Sequence, residues 1–433
     1  MTKSYIKFIL TIIQFVLIVN NVYSQQEAAT VKIPITLNQY LYNVAKNNLG
    51  YVAEQFSVSI AEADLKAAKV FPNPEISIGY SNNEDKKLMM GQSIATGISY
   101  PISFGNKREA GLALARSQFD LAQSTLIAYF QNLRADAAIS YYTAMRERQL
   151  FLLQEDTYER MKELANADSI RLRAGSIKEI DALQSSLEAK SQYNQVYQSR
   201  AEMQNAMVKL SLLQGKPIND TIYFASDDFI PSKRHFILTE LIQSAIKNRI
   251  DLQIAIKNKE ISENIVNLLK ANRAFEFNLE AGYSYSSIVK NEIAPAPTFH
   301  TYNTGLTIPL KFSNFNKGEL QAAKFSVNQN EIALREVELQ ITSEVTQVYN
   351  LYLAKEKQIE QYNTGLIMNA EKILQGRIYS YQRGETGLIE VLNSQRTYNE
   401  LRKDYYETSN DYCSALIELE RSVAIWDLDN SLF

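Results

Sequence analysis

Two pairs of side chains in the 433-residue chain share one spacing. Glu390 and Asn393 lie three residues apart, as do Asp181 and Gln184, and the second pair precedes the first by 209 positions. On a helix that spacing places each pair on one face. Each pair sets one carboxylate beside one amide. Tyr381 lies nine residues before Glu390 and carries a phenol, which donates hydrogen bonds. Three more acids, Glu75, Glu276 and Glu280, alternate with apolar residues in short stretches. If their face meets water, it attracts cations. The plainer reading of all these residues is a solvated surface.

The parts of an active site are missing. The two histidines, His235 and His300, are far apart in sequence, and the single cysteine, Cys413, has no motif around it. There is no phosphate-cradling glycine loop and no His-x-x-x-His pair. No enzymatic activity, cofactor or resident metal is expected. A net charge of −3 offers no basic stripe for nucleic acid, and one cysteine cannot form a disulfide within the chain.

The elements that would position these residues are long. The chain has only 15 glycines and 9 prolines but 26 tyrosines and 18 phenylalanines. So few helix breakers imply long uninterrupted helices. At the N-terminus, Lys3 and Lys7 precede an apolar run from Phe8 to Val19, and Val22 and Ser24 are small residues before a cleavage site. Residues 1–24 are therefore expected to be a secretory signal peptide, too short in its apolar run to span a membrane. No cysteine follows to carry a lipid anchor. No later apolar run suits a membrane helix, although barrel strands, being short and half apolar, would escape such a scan.

The chain then repeats itself. Arg173-Ala174-Gly175-Ser176 returns as Arg383-Gly384-Glu385-Thr386, with the glycines 209 positions apart. Tyr100-Pro101-Ile102 returns as Ile308-Pro309-Leu310 and Ile78-Gly79-Tyr80 as Ala281-Gly282-Tyr283, at offsets of 208 and 203. This is a tandem duplication rather than a solenoid of short units. We expect a first repeat over 25–213, an irregular linker over 214–235, a second repeat over 236–424 and a tail over 425–433. Each repeat holds two alternating stretches: Ile76, Ile78 and Tyr80, then Ile94, Thr96, Ile98 and Tyr100; and Phe277, Leu279, Ala281, Tyr283 and Tyr285, then Tyr302, Thr304, Leu306 and Ile308. The intervening positions are small, polar or acidic, the period of barrel strands. On the strands alone a soluble sheet over a core is the plainer reading.

The helices change that. Leu112, Phe119, Leu126 and Leu133 recur every seven residues, as do Leu320, Val327, Leu334, Ile341 and Val348, with a second stripe of Phe325, Ile332 and Leu339. Such spacing marks coiled coils. A helix is expected over 108–168, flanked by half-length helices over 37–70 and 178–213. The second repeat gives 236–273, 317–378 and 386–424. The longest, about 60 residues, would extend roughly 90 Å, more than a globular core of this size hides. Four strands cannot close a barrel, and an open edge cannot face lipid. Closure needs several chains, whose number the residues leave open.

Phe71-Pro72-Asn73-Pro74 before the first strand, Pro101 to Arg108 after the second, and Ile308 to Phe312 with Asn316-Lys317-Gly318 resemble the TolC-like outer-membrane efflux proteins, closest to their heavy-metal cation-efflux branch. The resemblance covers about residues 36–424. It implies a mainly α fold with a small β part: long antiparallel coiled-coil helices forming a periplasmic α-barrel, and four strands given to a shared twelve-stranded barrel. It further implies a homotrimer in outer-membrane lipid, docked to a periplasmic adaptor and a resistance-nodulation-division pump, carrying drugs or metal cations. Gly175 and Gly384 then fall at the adaptor-docking tips, and Tyr381, Glu390, Asn393, Asp181 and Gln184 at the periplasmic aperture. Thr386 and Asn393 stand where the family has charged residues, so the resemblance implies a hydrogen-bonded closure rather than a salt-bridged one, with Tyr381 donating to Glu390 and Asp181 as its competing acceptor on a neighbouring helix. The alternative is a periplasmic coiled-coil scaffold or adaptor without a channel. The paired strands and two hairpins speak against an adaptor. Residues 82–91 and 286–299, which join the strands of each pair, would be cell-surface loops.

Overall fold

The computed structural model describes residues 31–85, 89–217, 221–227, 235–310 and 315–426. The expected signal peptide and most of the tail lie outside them. The chain sorts into two compact units. One comprises the described residues up to Tyr51, Phe130–Leu241 and those from Val345 onward; the other comprises Val52–Tyr129 and Ile242–Glu344.

The first repeat contains β1 (Val31–Ile35), α1 (Leu37–Asn47), α2 (Leu49–Ala68), β2 (Glu75–Asn82), β3 (Gln92–Ser103), α3 (Lys107–Arg173) and α4 (Glu179–Leu213). Helix α3 runs 67 residues without a break, about 100 Å at 1.5 Å per residue. It contains no proline and a single glycine, Gly111, so nothing along it interrupts the i to i−4 ladder. After β4 (Thr221–Ala225), the second repeat holds α5 (Leu238–Asn248), α6 (Ile250–Ala271), β5 (Glu276–Ser286), β6 (Phe299–Thr307), α7 (Lys317–Gln361), α8 (Ile367–Gln382) and α9 (Leu388–Val423).

Three features depart from the sequence reading. The helix expected over 37–70 breaks at Asn48, which takes an extended conformation. Its side chain accepts from Tyr51 N at 2.9 Å and donates to the Leu213 carbonyl at 3.0 Å, the local competition that makes Asn a helix breaker. A matching break falls at Arg249, whose guanidinium binds Asp251 and Glu344. The helix expected over 317–378 is divided by a π-helical turn at Tyr362–Leu366, within which Gly365 has φ 97°. Finally, the linker taken as irregular contains β4, which pairs in parallel with β1. Parallel pairing joins segments remote in sequence and leaves no hairpin signal.

In the first unit the core gathers Tyr40, Val44, Tyr141, Leu210 and Ile417. Tyr141 Oη sits 2.8 Å from both the Ile35 carbonyl and Asp227 Oδ2. The same Asp227 oxygen accepts from Leu37 N at 2.8 Å, which places a carboxylate at the N-terminus of α1, where the helix dipole favours it. Cys413 is buried in this unit, and burial pushes its thiol up to about 12.

In the second unit the strands form one antiparallel sheet in the order β2-β3-β5-β6. Its register keeps the alternation of all four strands in phase. Ile76 pairs with Ile98, Ile98 with Ala281, and Ala281 with Thr304; one step on, Ile78, Thr96, Tyr283 and Tyr302 align. One face is therefore apolar and aromatic across its width. It is also bare: Ile76, Ile78 and Tyr302 are 74%, 78% and 81% exposed. Among the described residues no helix is long and apolar enough to cross a membrane.

Candidate functional site

Helices α3 and α8 both end in a glycine reversal. Gly175 N donates to the Leu172 carbonyl and Ser176 N to Arg171; Gly384 N donates to Tyr381 and Glu385 N to Ser380. This double bond pattern closes a helix with a left-handed residue. The φ values of 71° and 77° suit glycine, and an added Cβ would meet open space at both, so conformation rather than crowding selects glycine there. The following helices start at Glu179 and Leu388, in the register the duplication requires.

Tyr381, one turn before Gly384, is buried with Met161, Ala189, Leu388, Val391 and Leu392. Its phenol was expected to donate to Glu390 or Asp181. It donates instead to Asp168 Oδ1, at 2.8 Å. Asp168 is completely buried and sits on α3, and Arg171 one turn further lies 3.5 Å from the same oxygen. The Arg171 guanidinium also stacks over the Tyr381 ring, 4.7 Å from its centroid. Burial, and then the Asp168 carboxylate, raise the phenol's pKa above the ordinary tyrosine range. A cleft of about 350 Å³ opens beside this triad. Asp168 Oδ2 finds no donor among the described residues.

The other expected aperture residues stand apart from the triad. Glu390, Asn393 and Gln184 are exposed and Asp181 is half-buried. Among the described residues Glu390 has one loose ion pair, 3.9 Å from Arg377 Nη2. The two residues differ in depth: within the chain Tyr381 is buried in the packing between helices, while Glu390 is exposed. Asp168 was overlooked, yet it carried a signal. An acid in the last turns of a helix opposes the helix dipole and needs a specific donor to be stable there.

Glu75, Glu276 and Glu280 all lie on the polar face of the sheet. Glu75 pairs with Ser99 and Ser99 with Glu280, so two of the acids flank one serine in a single row. Glu280 accepts from Thr307 Oγ1 at 2.7 Å. Glu276 differs: Lys107 Nζ lies 3.3 Å from its Oε2.

The sequence profile of the outer membrane efflux protein family matches residues 40–216 and again 241–424. The chain belongs to the outer membrane efflux protein family. It is an outer-membrane efflux channel protein of the tripartite type, extending into the periplasm. The cobalt-zinc-cadmium resistance protein CzcC of Cupriavidus metallidurans is 21% identical over 392 residues, 90% of each chain. The fold is similar to that of CusC, with TM-score 0.73, 16% identity and coverage of 90% of this chain and 92% of that one. It is also similar to the Campylobacter jejuni outer membrane channel CmeC, with TM-score 0.75, 13% identity and coverage of 89% and 85%, and to the Neisseria gonorrhoeae channel MtrE, with TM-score 0.70, 13% identity and coverage of 90% and 89%. The family is one of channel proteins, consistent with helices and strands of this kind.

Proposed function

We propose that three copies of this chain form a passive duct whose four-stranded sheets close into one twelve-stranded barrel. The observation that carries the proposal is the sheet: its apolar face is bare, and its outer strands β2 and β6 each have a free edge. Open edges are not tolerated in lipid. Two copies would give an eight-stranded barrel with a filled interior, whereas three give a wider bore. The helices support the same reading. Phe325, Ile332 and Leu339 form a heptad stripe on α7 yet stand 62%, 67% and 74% exposed, a stripe that a neighbouring chain would cover. The tips around Gly175 and Gly384 receive a periplasmic adaptor, and an inner-membrane pump of the resistance-nodulation-division type loads the duct. The Tyr381–Asp168 contact and the outward-facing Glu390 and Asn393 belong to its aperture. Metal cations are the cargo, on the similarity to a cobalt-zinc-cadmium resistance protein. Native mass determination in detergent should give three chains, and an epitope inserted in 82–91 or 286–299 should be labelled on intact cells. A monodisperse monomer soluble without detergent overturns the duct. Loss of the protein should sensitise cells to cobalt, zinc or cadmium; sensitisation to antibiotics alone overturns the cargo.

A further inference from the structure

The cleft beside Tyr381 offers a charged atom that the contact with Tyr381 leaves unused. Asp168 lines this cleft and is completely buried. Both of its polar contacts fall on one oxygen: Tyr381 donates to Oδ1 at 2.8 Å, and Arg171 lies 3.5 Å from the same atom. Oδ2 has no donor among the described residues. Burying a carboxylate oxygen without a donor is costly, more so than burying a neutral acceptor.

The walls of the cleft define the donor that would complete it. Met161, Leu164 and Ile378 give it an apolar side, and Glu163, Gln375 and Gln382 stand exposed at its rim. Its charges do not cancel. Arg160 is held at 2.9 Å by Asp156 Oδ2, which does not line the cleft, so the acids Glu163 and Asp168 are left with Arg171 alone. The excess is negative. Duplication did not produce it, because at the offset of 209 Glu163 and Asp168 correspond to Lys372 and Arg377. A metal ion is a poor match. Calcium and magnesium take six or more oxygen ligands, and among the described residues no group of three His, Cys, Asp or Glu could hold an ion. An organic cation matches both halves of the cleft: N–H groups donate to carboxylate and amide oxygens, and an alkyl stem lies against apolar side chains. The volume, about 350 Å³, is that of a site for a small molecule.

We infer that this cleft binds a small alkylguanidinium or alkylammonium cation, with its N–H groups on Asp168 Oδ2 and the rim oxygens and its alkyl chain against Met161, Leu164 and Ile378. The lining residues come from α3 and α8, so a bound cation bridges the two helices and stabilises the arrangement in which the cleft exists. The consequence for conductance rests on the duct and aperture proposed above: a cation in the cleft holds the aperture shut.

Hydrogen exchange of the full-length protein in detergent, with and without millimolar butylguanidinium, tests the site. Residues 160–171 and 375–382 should gain protection. The uncharged analogue butylurea should give none. Asp168→Asn should weaken binding of the cation by about tenfold or more, the factor for losing a hydrogen bond to a charged group. Glu163→Gln, at an exposed position outside the packing, should weaken it by a smaller factor. No protection by the cation, equal protection by butylurea, or binding unchanged in both variants each overturns the site. N-acetylarginine amide carries the same guanidinium on a peptide unit. Tighter binding of it than of butylguanidinium assigns the site to an arginine side chain of a partner protein, and weaker binding assigns it to a free cation. In planar bilayers butylguanidinium should lower the resting conductance and butylurea should not. Protection without a change in conductance keeps the site and overturns the aperture reading.

Discussion

The two long helices that lead to the tips began as copies and now differ. In the first repeat α3 runs unbroken through 67 residues. In the second, α7 stops at Gln361, a π-helical turn intervenes, and α8 resumes at Ile367. The turn is held locally: Thr364 Oγ1 donates to the Gln361 carbonyl at 2.6 Å, and Tyr362 packs edge-on to Tyr405 at 5.7 Å. Single π turns are common at functional sites, and they bend a helix where they insert. The side chains diverged along with the backbone. Positions 168 and 377 correspond in the duplication, as do 172 and 381, yet they hold aspartate and arginine, and leucine and tyrosine. The first repeat supplies a stiff rod with a buried acid. The second supplies the donor and a helix with a built-in bend. Duplication thus kept the frame while the two halves diverged, and we propose that the unbroken half serves as the post of the aperture and the bent half as its moving leaf.

Breaking the contact between post and leaf should have the largest effect. Tyr381→Phe removes the donor to a fully buried carboxylate, which costs about 1.5–3 kcal/mol for a hydrogen bond to a charged group. We expect higher resting conductance in planar bilayers and faster amide exchange around residues 378–392. Asp168→Asn should act in the same direction, and the double variant should be well short of additive because the two residues share one interaction. The pH dependence has a definite sign. The folded phenol has a raised pKa, so the contact contributes fully below the unfolded tyrosine value near pH 10 and fades as the pH rises beyond it. If Tyr381→Phe conducts like the parent, the closure lies elsewhere and the triad is ordinary core.

Much of this arrangement was legible in the residues. The duplication, the four strands with their faces, the glycine reversals and the long helices all follow from periodicities of two and seven and from two recurring glycines. What escaped detection was what periodicity does not encode. The break at Asn48 depends on the Leu213 carbonyl, 165 positions away. The pairing of β1 with β4 depends on segments about 190 positions apart. The partner of Tyr381 sits 213 positions upstream on another helix. The π turn left one trace, a glycine inside a helical stretch, which the heptad pattern around it concealed.

A smaller effect is expected at that glycine. Gly365 has φ 97°, and a Cβ there would meet only Met368 Cε at 3.6 Å, so Gly365→Ala is penalised by conformation alone. A left-handed non-glycine residue costs about 1–2 kcal/mol. The variant should lower the stability of the 358–372 segment by about that amount, read as faster hydrogen exchange there, with exchange in α3 unchanged. A gain in protection would mean that the second helix is as straight as the first in the working protein, and the contrast between post and leaf would fall.

The smallest effect separates the acids of the two repeats at the sheet. Glu75 comes from the first repeat, Glu276 and Glu280 from the second, and all three share the polar face. Their surroundings rank them. Glu276 already faces Lys107 at 3.3 Å, so its charge is largely offset before any ion arrives. Glu280 is held by a neutral donor, Thr307, and lies in a row with Glu75 across Ser99. Carboxylates ringing an aqueous bore favour cations. The effect of each is modest, since charges separated by more than about 8–10 Å are screened at physiological salt. In a salt gradient the parent should show mild cation selectivity. Glu280→Gln and Glu75→Gln should each reduce it, and together they should nearly abolish it. Glu276→Gln alone should move the reversal potential least, and by freeing Lys107 it should shift it toward anions. If Glu276→Gln instead gives the largest loss, Lys107 is turned away from the bore in the assembled channel, and the ranking drawn from this sheet is reversed.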